Sequence, residues 1–542
     1  MLHGDSSAYI AAAEGPRGRR AGQPLSSHGS ALFPGVGRLD FMASDADDGR
    51  QRTQQAVEAI SACMVGPTDR AEALSDIPAA YTYFGQFVFH DVVFSRVFGL
   101  ATPTQAHVKN AVSFGLDLSG LYGRGPSIDG HLYEAPALAS PGTCRFPLGL
   151  PRDPQTRCPI QADAVAGRDL PRIDLTSNFL SVGGRRAPYR PLVADVRNDD
   201  NLVLSQMTVT LMRAHNRLVD AQIADATSPA QAFLRARSFL TGCYRRTVIH
   251  DYLRKILDGR VWAMFFRDDG NFQGPEVDSL EAVTALPIEF TFAASRFAHA
   301  MVRHFYRMND SFEEEPGTLR DLLGFSSLRE DGDVPVPANW MIDWTRFIGT
   351  DAGVQHARRI SPFLSPELAR FAITSDGVQP RSVAFMDNWR CYDLGLPSGQ
   401  AVAAALQAKM RAMGPVVPLD VRILRGEADL LPTAACFARF GDRAAQLKAA
   451  LLAAPQFLEA TPLSYYVLQE ASVLGDDGNR LGPVGSYIVG ATMAAALFRA
   501  PDSEVRPQNV NVFGDICDLA GLLALQDANT NPDAALLGML GH

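Results

Sequence analysis

Residues 84–91 read Phe-Gly-Gln-Phe-Val-Phe-His-Asp. The octet lies inside Ile77–Val97, a stretch dense in aromatics whose apolar spacing predicts a buried helix. Gln86 and His90 stand four apart, so a helix puts both on one face, one turn from each other. Buried polar groups cost free energy unless they are partnered. A lone histidine on such a face is most simply a satisfied core residue. What weighs against that reading is the company His90 keeps further along the chain.

Helical periodicity recurs at 51–64, 201–225, 229–257, 290–308, 365–374, 399–412, 440–454, 464–473, 483–498 and 511–525, whereas strand signals are few and short. The expected fold class is therefore mainly α: one large helical domain with few short strands, without internal repeat or clean linker. Two stretches, 123–193 and 312–339, have little periodicity and read as wrapping or functional loops. The run Glu313-Glu314-Glu315 in the second reads as solvated surface. Residues 1–40 read as a flexible N-terminal lead-in, because no apolar segment follows Arg19-Arg20 as a secretory signal requires. Residues 41–505 form the expected domain, and 506–542 a C-terminal helix and tail packed on it or trailing it.

Composition removes several functional classes. A hydrophobic fraction of 46% supports a large core, and a net charge of −9 argues against nucleic-acid binding driven by phosphate contacts. No apolar run is long enough for a transmembrane segment. The expected location is cytoplasmic, or released without a recognisable signal peptide. Seven scattered cysteines, an odd number, fit reduced thiols better than a disulfide framework, and no Cys/His cluster has zinc spacing.

Four short segments each place two polar residues close together on a predicted helix: Gln86/His90, Arg197/Asp200, Arg296/His299 and Asp387/Arg390. Two histidines on separate apolar helices, each escorted by an arginine-bearing segment, suggest a cofactor held between helices. Any one pair alone reads as an ordinary buried polar pair.

Together with their surroundings these segments resemble the animal-type haem peroxidases of the peroxidase–cyclooxygenase superfamily, in a bacterial form. The resemblance runs from about Phe33 to about Pro501. It is carried by Tyr-Phe-Gly-Gln-Phe-Val-Phe-His-Asp (83–91), Asp-Leu-Ser-Gly-Leu-Tyr-Gly (117–123), Asp-Val-Arg-Asn-Asp-Asp-Asn (195–201) and Leu-Met-Arg-Ala-His-Asn-Arg-Leu (211–218). Arg-Phe-Ala-His-Ala-Met-Val-Arg (296–303), Asp-Leu-Gly-Leu-Pro-Ser-Gly-Gln (393–400) and Leu-Gly-Pro-Val-Gly (481–485) complete it. Each motif is weak; seven in the family's order are specific.

The resemblance implies a haem peroxidase domain over 41–505 and an oxidoreductase that takes hydrogen peroxide as acceptor, with a part in the response to oxidative stress. His90 matches the distal histidine, a proton shuttle suited by its near-neutral pKa. Arg197 matches the arginine that stabilises charge on the departing oxygen, and Gln86 the distal glutamine. His299 matches the proximal ligand of the haem iron. Its second nitrogen needs an acceptor, for which the family uses asparagine. Counting back from Gly395-Leu396-Pro397 places Asp387 there, and a shift of one residue would place Asn388. A carboxylate would push the imidazole toward imidazolate and lower the iron potential. Arg296 and Arg390 match arginines that pair with haem propionates or shield the ring edge.

The family also holds a calcium ion. Asp91, Ser113, the Gly115 carbonyl, Asp117 and Ser119 form a hard-oxygen set suited to Ca²⁺; without the resemblance the 113–119 loop reads as a capped turn. His215 reads as a structural hydrogen-bonding residue.

Two departures bear on function. Mammalian members tether haem through two carboxylates. Here the first position is Phe89, which forms no ester, and the second is Asp200, so the expected cofactor is haem b with at most one ester link, via Asp200. Asn201 stands where one member has a bonded methionine. With fewer links the expected donors are phenols, iodide or bromide, and chloride oxidation is not expected. The cyclooxygenase branch has a radical-forming tyrosine three residues before the proximal histidine, where this chain has Arg296. A fatty-acid dioxygenase or hydroperoxide-transforming relative, and a non-catalytic haem-binding protein, are the alternatives.

Overall fold

The computed structural model describes residues 31–42, 48–67, 73–97, 108–110, 112, 114–134, 144–160, 166–174, 189–223, 228–267, 283, 285–329, 331–370, 382–414, 419–498 and 516–527. The fold is mainly α, as the periodicity predicts. Its principal helices are α1 (Gly49–Cys63), α2 (Ala80–Val92), α3 (Leu202–Ile223), α4 (Pro229–Thr247), α5 (Ile288–Phe292), α6 (Val383–Asp393), α7 (Gly399–Met413), α8 (Leu463–Leu474) and α9 (Pro483–Phe498). The named strands are short: β1 (Leu74–Pro78), β2 (Ser95–Val97), β3 (Val108–Asn110), β4 (Arg172–Asp174), β5 (Tyr189–Pro191), β6 (Phe305–Tyr306), β7 (Gly317–Thr318) and β8 (His356–Arg358). They pair as two-stranded antiparallel ribbons, β1 with β8, β2 with β3, β4 with β5 and β6 with β7.

Helix starts follow the local chemistry. Ser228, Ser382 and Ser398 each accept a hydrogen bond from a first-turn backbone N–H of α4, α6 and α7, and Pro229 follows the first of these caps. Every residue of α2 is buried. Such a helix cannot be amphipathic, and its polar residues must find partners inside the protein.

Two expected helices are interrupted. The 290–308 stretch breaks at Ala293 (φ −130°, ψ −70°) into α5 and a 3₁₀ helix, Ala294–Met301, which carries His299. The chain then turns into β6, because Phe305 and Tyr306 pair with Thr318 and Gly317. The 229–257 stretch passes from α4 into a π-helical turn at Val248–Tyr252 before a last turn at Leu253–Ile256. That turn seats Tyr252 against α2, where a Cβ on Gly85 would lie 2.3 Å from Tyr252 Oη. The glycine inside the octet is thus required by close approach, despite its cost within a helix. In the same turn, Asp251 accepts from Tyr81 Oη at 2.6 Å and from Leu519 N at 2.8 Å. The latter contact docks the C-terminal helix Leu519–Ala524 on the domain; residues 511–515 of the expected 511–525 helix lie outside the described residues.

The lead-in boundary moves. Leu32 N and Phe33 N donate to the buried Glu289 carboxylate on α5 at 3.0–3.2 Å, and Leu39 N donates to Leu396 O at 2.7 Å. Residues 31–39 are therefore docked on the domain, where the sequence reading placed a flexible segment up to residue 40. The reason is a buried carboxylate 256–257 residues away, which local composition does not reveal.

The two loops of low periodicity are stitched together by one buried network. Arg172 binds Asp169 and Asp199, each at 2.6 Å, and neither carboxylate side chain is exposed. Asp199 also accepts from Ser327 N at 2.8 Å, and Asp169 from Val336 N at 2.8 Å. The 3₁₀ turn Val196–Asp199 is thereby fixed from both loops.

Candidate active site

Of the octet, Gln86, His90 and Asp91 are buried on α2, and each meets the 117–120 or 195–201 segment. His90 Nδ1 lies 3.2 Å from Asn198 Oδ1. Asn198, absent from the sequence-derived set, sits inside the 195–201 motif that carries Arg197. Burial, then the Arg197 charge, pushes the His90 pKa down to about 3 against the opposing Asp195 and Asp200 carboxylates. The imidazole is therefore neutral. Gln86 Nε2 donates to Asp200 Oδ2 at 2.9 Å, and Asn201 Nδ2 donates to Gln86 Oε1 at 3.1 Å. The structure thus brings Gln86, His90, Asp200 and Asn201 together in one buried polar cluster.

Arg197 closes on the C-terminal end of α2. Its guanidinium donates to His90 O at 2.9 Å, to Val93 O at 2.5 Å and to the Asp195 carboxylate at 2.6–3.2 Å. It also lies over the Phe94 ring, 4.2 Å from its centroid. These contacts satisfy carbonyls at the C-terminal end of α2, where a cation is favoured by the helix dipole. Arg197 thereby holds the helix end that bears His90.

His299 lies on the 294–301 helix, and its Nδ1 is 2.6 Å from Asp387 Oδ2 on α6. An ionised carboxylate only accepts, so Nδ1 carries the proton and Nε2 is the nitrogen suited to a metal. Asn388 turns elsewhere: its Oδ1 accepts from Ser464 Oγ at 2.7 Å and its amide approaches Ser61 Oγ at 3.4 Å. Successive helix residues diverge by about 100°, so only one of the two can face His299, and it is Asp387. We expect Asp387→Ala to weaken cofactor retention or turnover by ~10–100-fold, the range for lost second partners of metal-bound histidines. Asn388→Ala should leave both near wild type. Equal losses in the two variants, by haem titration, would reject this pairing.

Arg296 is buried and donates from Nη2 to Thr291 O at 2.8 Å, while its Nε is buried without a hydrogen-bond partner. No carboxylate forms an ion pair with it among the described residues. Burial lowers its pKa to about 10, Asp387 opposing and the neighbouring Arg390 adding to the shift. The Arg296 guanidinium lines a cavity together with His299, Asp387 and Asn388, and a buried cation without an ion-pair partner among the described residues fits a group bearing carboxylates of its own. Phe89, at the first tether position, packs edge-on against Phe290 and Phe297, with ring centroids 5.3 and 6.0 Å away. It closes the space between α2 and the His299 helix with hydrocarbon.

Asp91 points the other way, into the 117–120 turn. It accepts from Leu118 N at 3.0 Å, Ser119 Oγ at 3.2 Å and Tyr244 Oη at 3.4 Å. Burial, then the charge of Asp117, raises its pKa to about 7. Leu118 adopts φ 54°, a conformation that a bulky side chain rarely takes. Two buried carboxylates close enough to repel, with the Ser119 hydroxyl at hand, form a hard-oxygen donor set. Gly115 is buried nearby, and Ser113 lies outside the described residues. No cluster of three or more His, Cys, Asp or Glu is found among the described residues.

His215 binds Tyr122 Oη at 3.0 Å through Nδ1 and Cys144 O at 3.2 Å through Nε2, and burial pushes its pKa down to about 3. Both ring nitrogens are spent within the core, in keeping with a structural reading.

The arrangement defines a class: a helical protein with two buried histidines, each anchored through Nδ1 to a side-chain oxygen on a neighbouring segment. The model of the animal haem peroxidase family matches residues 104–398, and the chain belongs to that family. No curated protein sequence matches it. Among solved structures, it resembles peroxidase A from Dictyostelium discoideum at 15% identity and TM-score 0.58, with 93% of this chain and 94% of the other covered. It also resembles the fatty acid alpha-dioxygenase of Oryza sativa, at 11% identity, TM-score 0.55 and coverage of 90% and 79%. The fatty acid alpha-dioxygenase of Arabidopsis thaliana matches at 10% identity, TM-score 0.54 and coverage of 93% and 77%. At these identities the likeness shows the shared fold. No helix among the described residues is long and apolar enough to cross a membrane.

Proposed function

We propose that the protein is a haem peroxidase that reduces hydrogen peroxide and oxidises small donors such as phenols, iodide or bromide. The observation that carries this reading is the pair of differently equipped histidines: His299 anchored by a carboxylate, and His90 anchored by an amide oxygen and kept neutral by burial and the Arg197 charge. Haem b, when bound, supplies the iron on which the oxygen–oxygen bond is broken. His299 would hold it through Nε2, with Asp387 raising the basicity of the ring. Arg296 and Arg390 would meet its propionates. His90 takes a proton from the near oxygen of peroxide and returns it to the far one, which leaves as water. Gln86, fixed by Asp200 and Asn201, orients the molecule beside His90, and Arg197 keeps the helix end in register. Asp200 is engaged by Gln86, which supports haem held without a tether or by one ester at most.

The alternative of a fatty-acid dioxygenase finds support in the fold of its neighbours. Against it stands Arg296, a guanidinium where that chemistry requires an oxidisable phenol. A haem titration of the whole chain tests the reading. We expect a Soret band at one equivalent and peroxide-dependent oxidation of iodide or guaiacol. A haem-loaded protein that leaves peroxide untouched, or that consumes oxygen with a fatty acid, overturns it.

We further propose that Asp91, Asp117 and Ser119, with Ser113 and the Gly115 carbonyl, bind Ca²⁺ and lock the octet in place. Calcium at a hundred times its Kd should then stabilise the fold by about 2.7 kcal/mol, the mass-action value. An unchanged melting curve with calcium and with chelator would count against this site.

A further inference from the structure

The 310–346 region shows what the acidic loop accomplishes. Tyr83 lies two turns before His90 on the same face of α2, about 10 Å along its axis at 1.5 Å per residue. Its ring stands 5.9 Å from that of Tyr306, centroid to centroid. Tyr306 stacks on Phe347 at 6.1 Å with an interplanar angle of 4°, and Phe347 meets Trp344 at 6.1 Å. Tyr83 and Tyr306 are buried, whereas Trp344 is partly exposed, its indole N–H donating to Thr210 Oγ1 at 3.2 Å. A line of aromatic rings therefore leads from the His90 face of α2 to the surface.

The surface at its end is acidic. Asp310, Glu313 and Asp343 all approach Arg346, two residues from Trp344, and their side chains are 95%, 57% and 42% exposed. Glu314 and Glu315 follow Glu313 and are exposed as well. Against these five carboxylates stand Arg346 and Arg307, which leaves the rim around Trp344 net negative.

We propose that Tyr83, Tyr306 and Trp344 form an electron relay, and that Trp344 is the point at which bulky cationic one-electron donors are oxidised. The proposal rests on the peroxidase reading. Reduction of one hydrogen peroxide consumes two electrons and two protons, breaks the oxygen–oxygen bond and yields two waters. Each electron passes from Tyr83 toward the haem site and is replaced through Tyr306 and then Trp344, and each donor loses one electron at the indole. A phenolic proton that leaves with an electron returns with the next, so the relay consumes none. Phe347, which is not oxidisable in this range, packs Tyr306 and Trp344 into one assembly. The acidic rim attracts a positively charged donor, and screening makes that attraction weaken with salt.

The test uses the haem-loaded full chain with hydrogen peroxide, and reduced cytochrome c as a donor that is cationic and too large to enter a buried pocket. With a nitroso spin trap and peptide mapping, we expect an adduct on Trp344 that falls away in Tyr306→Phe. In Trp344→Phe, oxidation of cytochrome c should drop roughly tenfold or more while iodide oxidation is unchanged, which also shows that the variant is folded. Failure to label Trp344 in a protein that oxidises iodide overturns the relay alone, as does an equal effect of Trp344→Phe on both donors. A wild-type chain inactive toward iodide overturns the peroxidase reading and the relay with it.

Discussion

Replacing His90 by alanine should lower kcat/KM for hydrogen peroxide by roughly 10²–10⁴, the usual contribution of a positioned general acid–base group. Haem binding should survive, because in the proposed reading the iron would be held by His299 on the 294–301 helix, itself anchored at 2.6 Å by Asp387. His299→Ala should instead abolish the Soret band. The two variants thus separate catalysis from retention. Stopped-flow mixing of haem-loaded protein with peroxide checks the first, and a haem titration the second. Loss of the band in His90→Ala, or its persistence in His299→Ala, would exchange the two faces or refute the site. Asn198→Ala should fall between wild type and His90→Ala, since it frees the His90 ring without removing it.

Arg172→Ala should destabilise the fold by about 3–5 kcal/mol, the cost of stripping a buried ion pair of one partner. The Arg172 side chain is 2% exposed and serves two carboxylates, Asp169 and Asp199, whose side chains have no exposure. Burial already raises the Asp169 pKa despite the guanidinium beside it. Without Arg172 both acids must ionise unpaired or take up protons. Urea unfolding measures the loss. A triple variant, Asp169→Asn, Asp199→Asn and Arg172→Met, should recover much of it, because an uncharged set leaves no buried charge unbalanced. If Arg172→Ala proves neutral, the network is not what fixes the loops. Asp199 adjoins Asp200, so loosening the network should also disturb the Gln86–Asp200 contact and reduce turnover.

Much of the site was legible before any coordinates. The helix spacing of Gln86 and His90, the Arg296/His299 pair and the order of the seven motifs are local or sequential properties, and the fold preserves them. Less legible were residues whose partners come from distant segments. The hydrogen bonds of the Arg197 guanidinium to the carbonyls of His90 and Val93 join segments about a hundred residues apart. Asn198 carries no signal of its own within the 195–201 motif, because its partner His90 lies 108 residues away. The break at Ala293 and the π turn at Val248–Tyr252 disrupt helices that periodicity draws as continuous. Both arise from packing, β6 against β7 in one case and Tyr252 against Gly85 in the other.

By itself the sequence determined that the chain is a helical haem peroxidase family member with a histidine on each of two buried helices, because periodicity and motif order need no long-range information. Tertiary structure alone decided that Asp387 rather than Asn388 holds His299, that Glu289 binds Leu32 and Phe33, and that Glu313 of the acidic run pairs with Arg346. Each of these depends on the rotation of a helix or the meeting of segments far apart in the chain. A one-residue change of register swings a side chain by about 100°, and only packing fixes which one points inward.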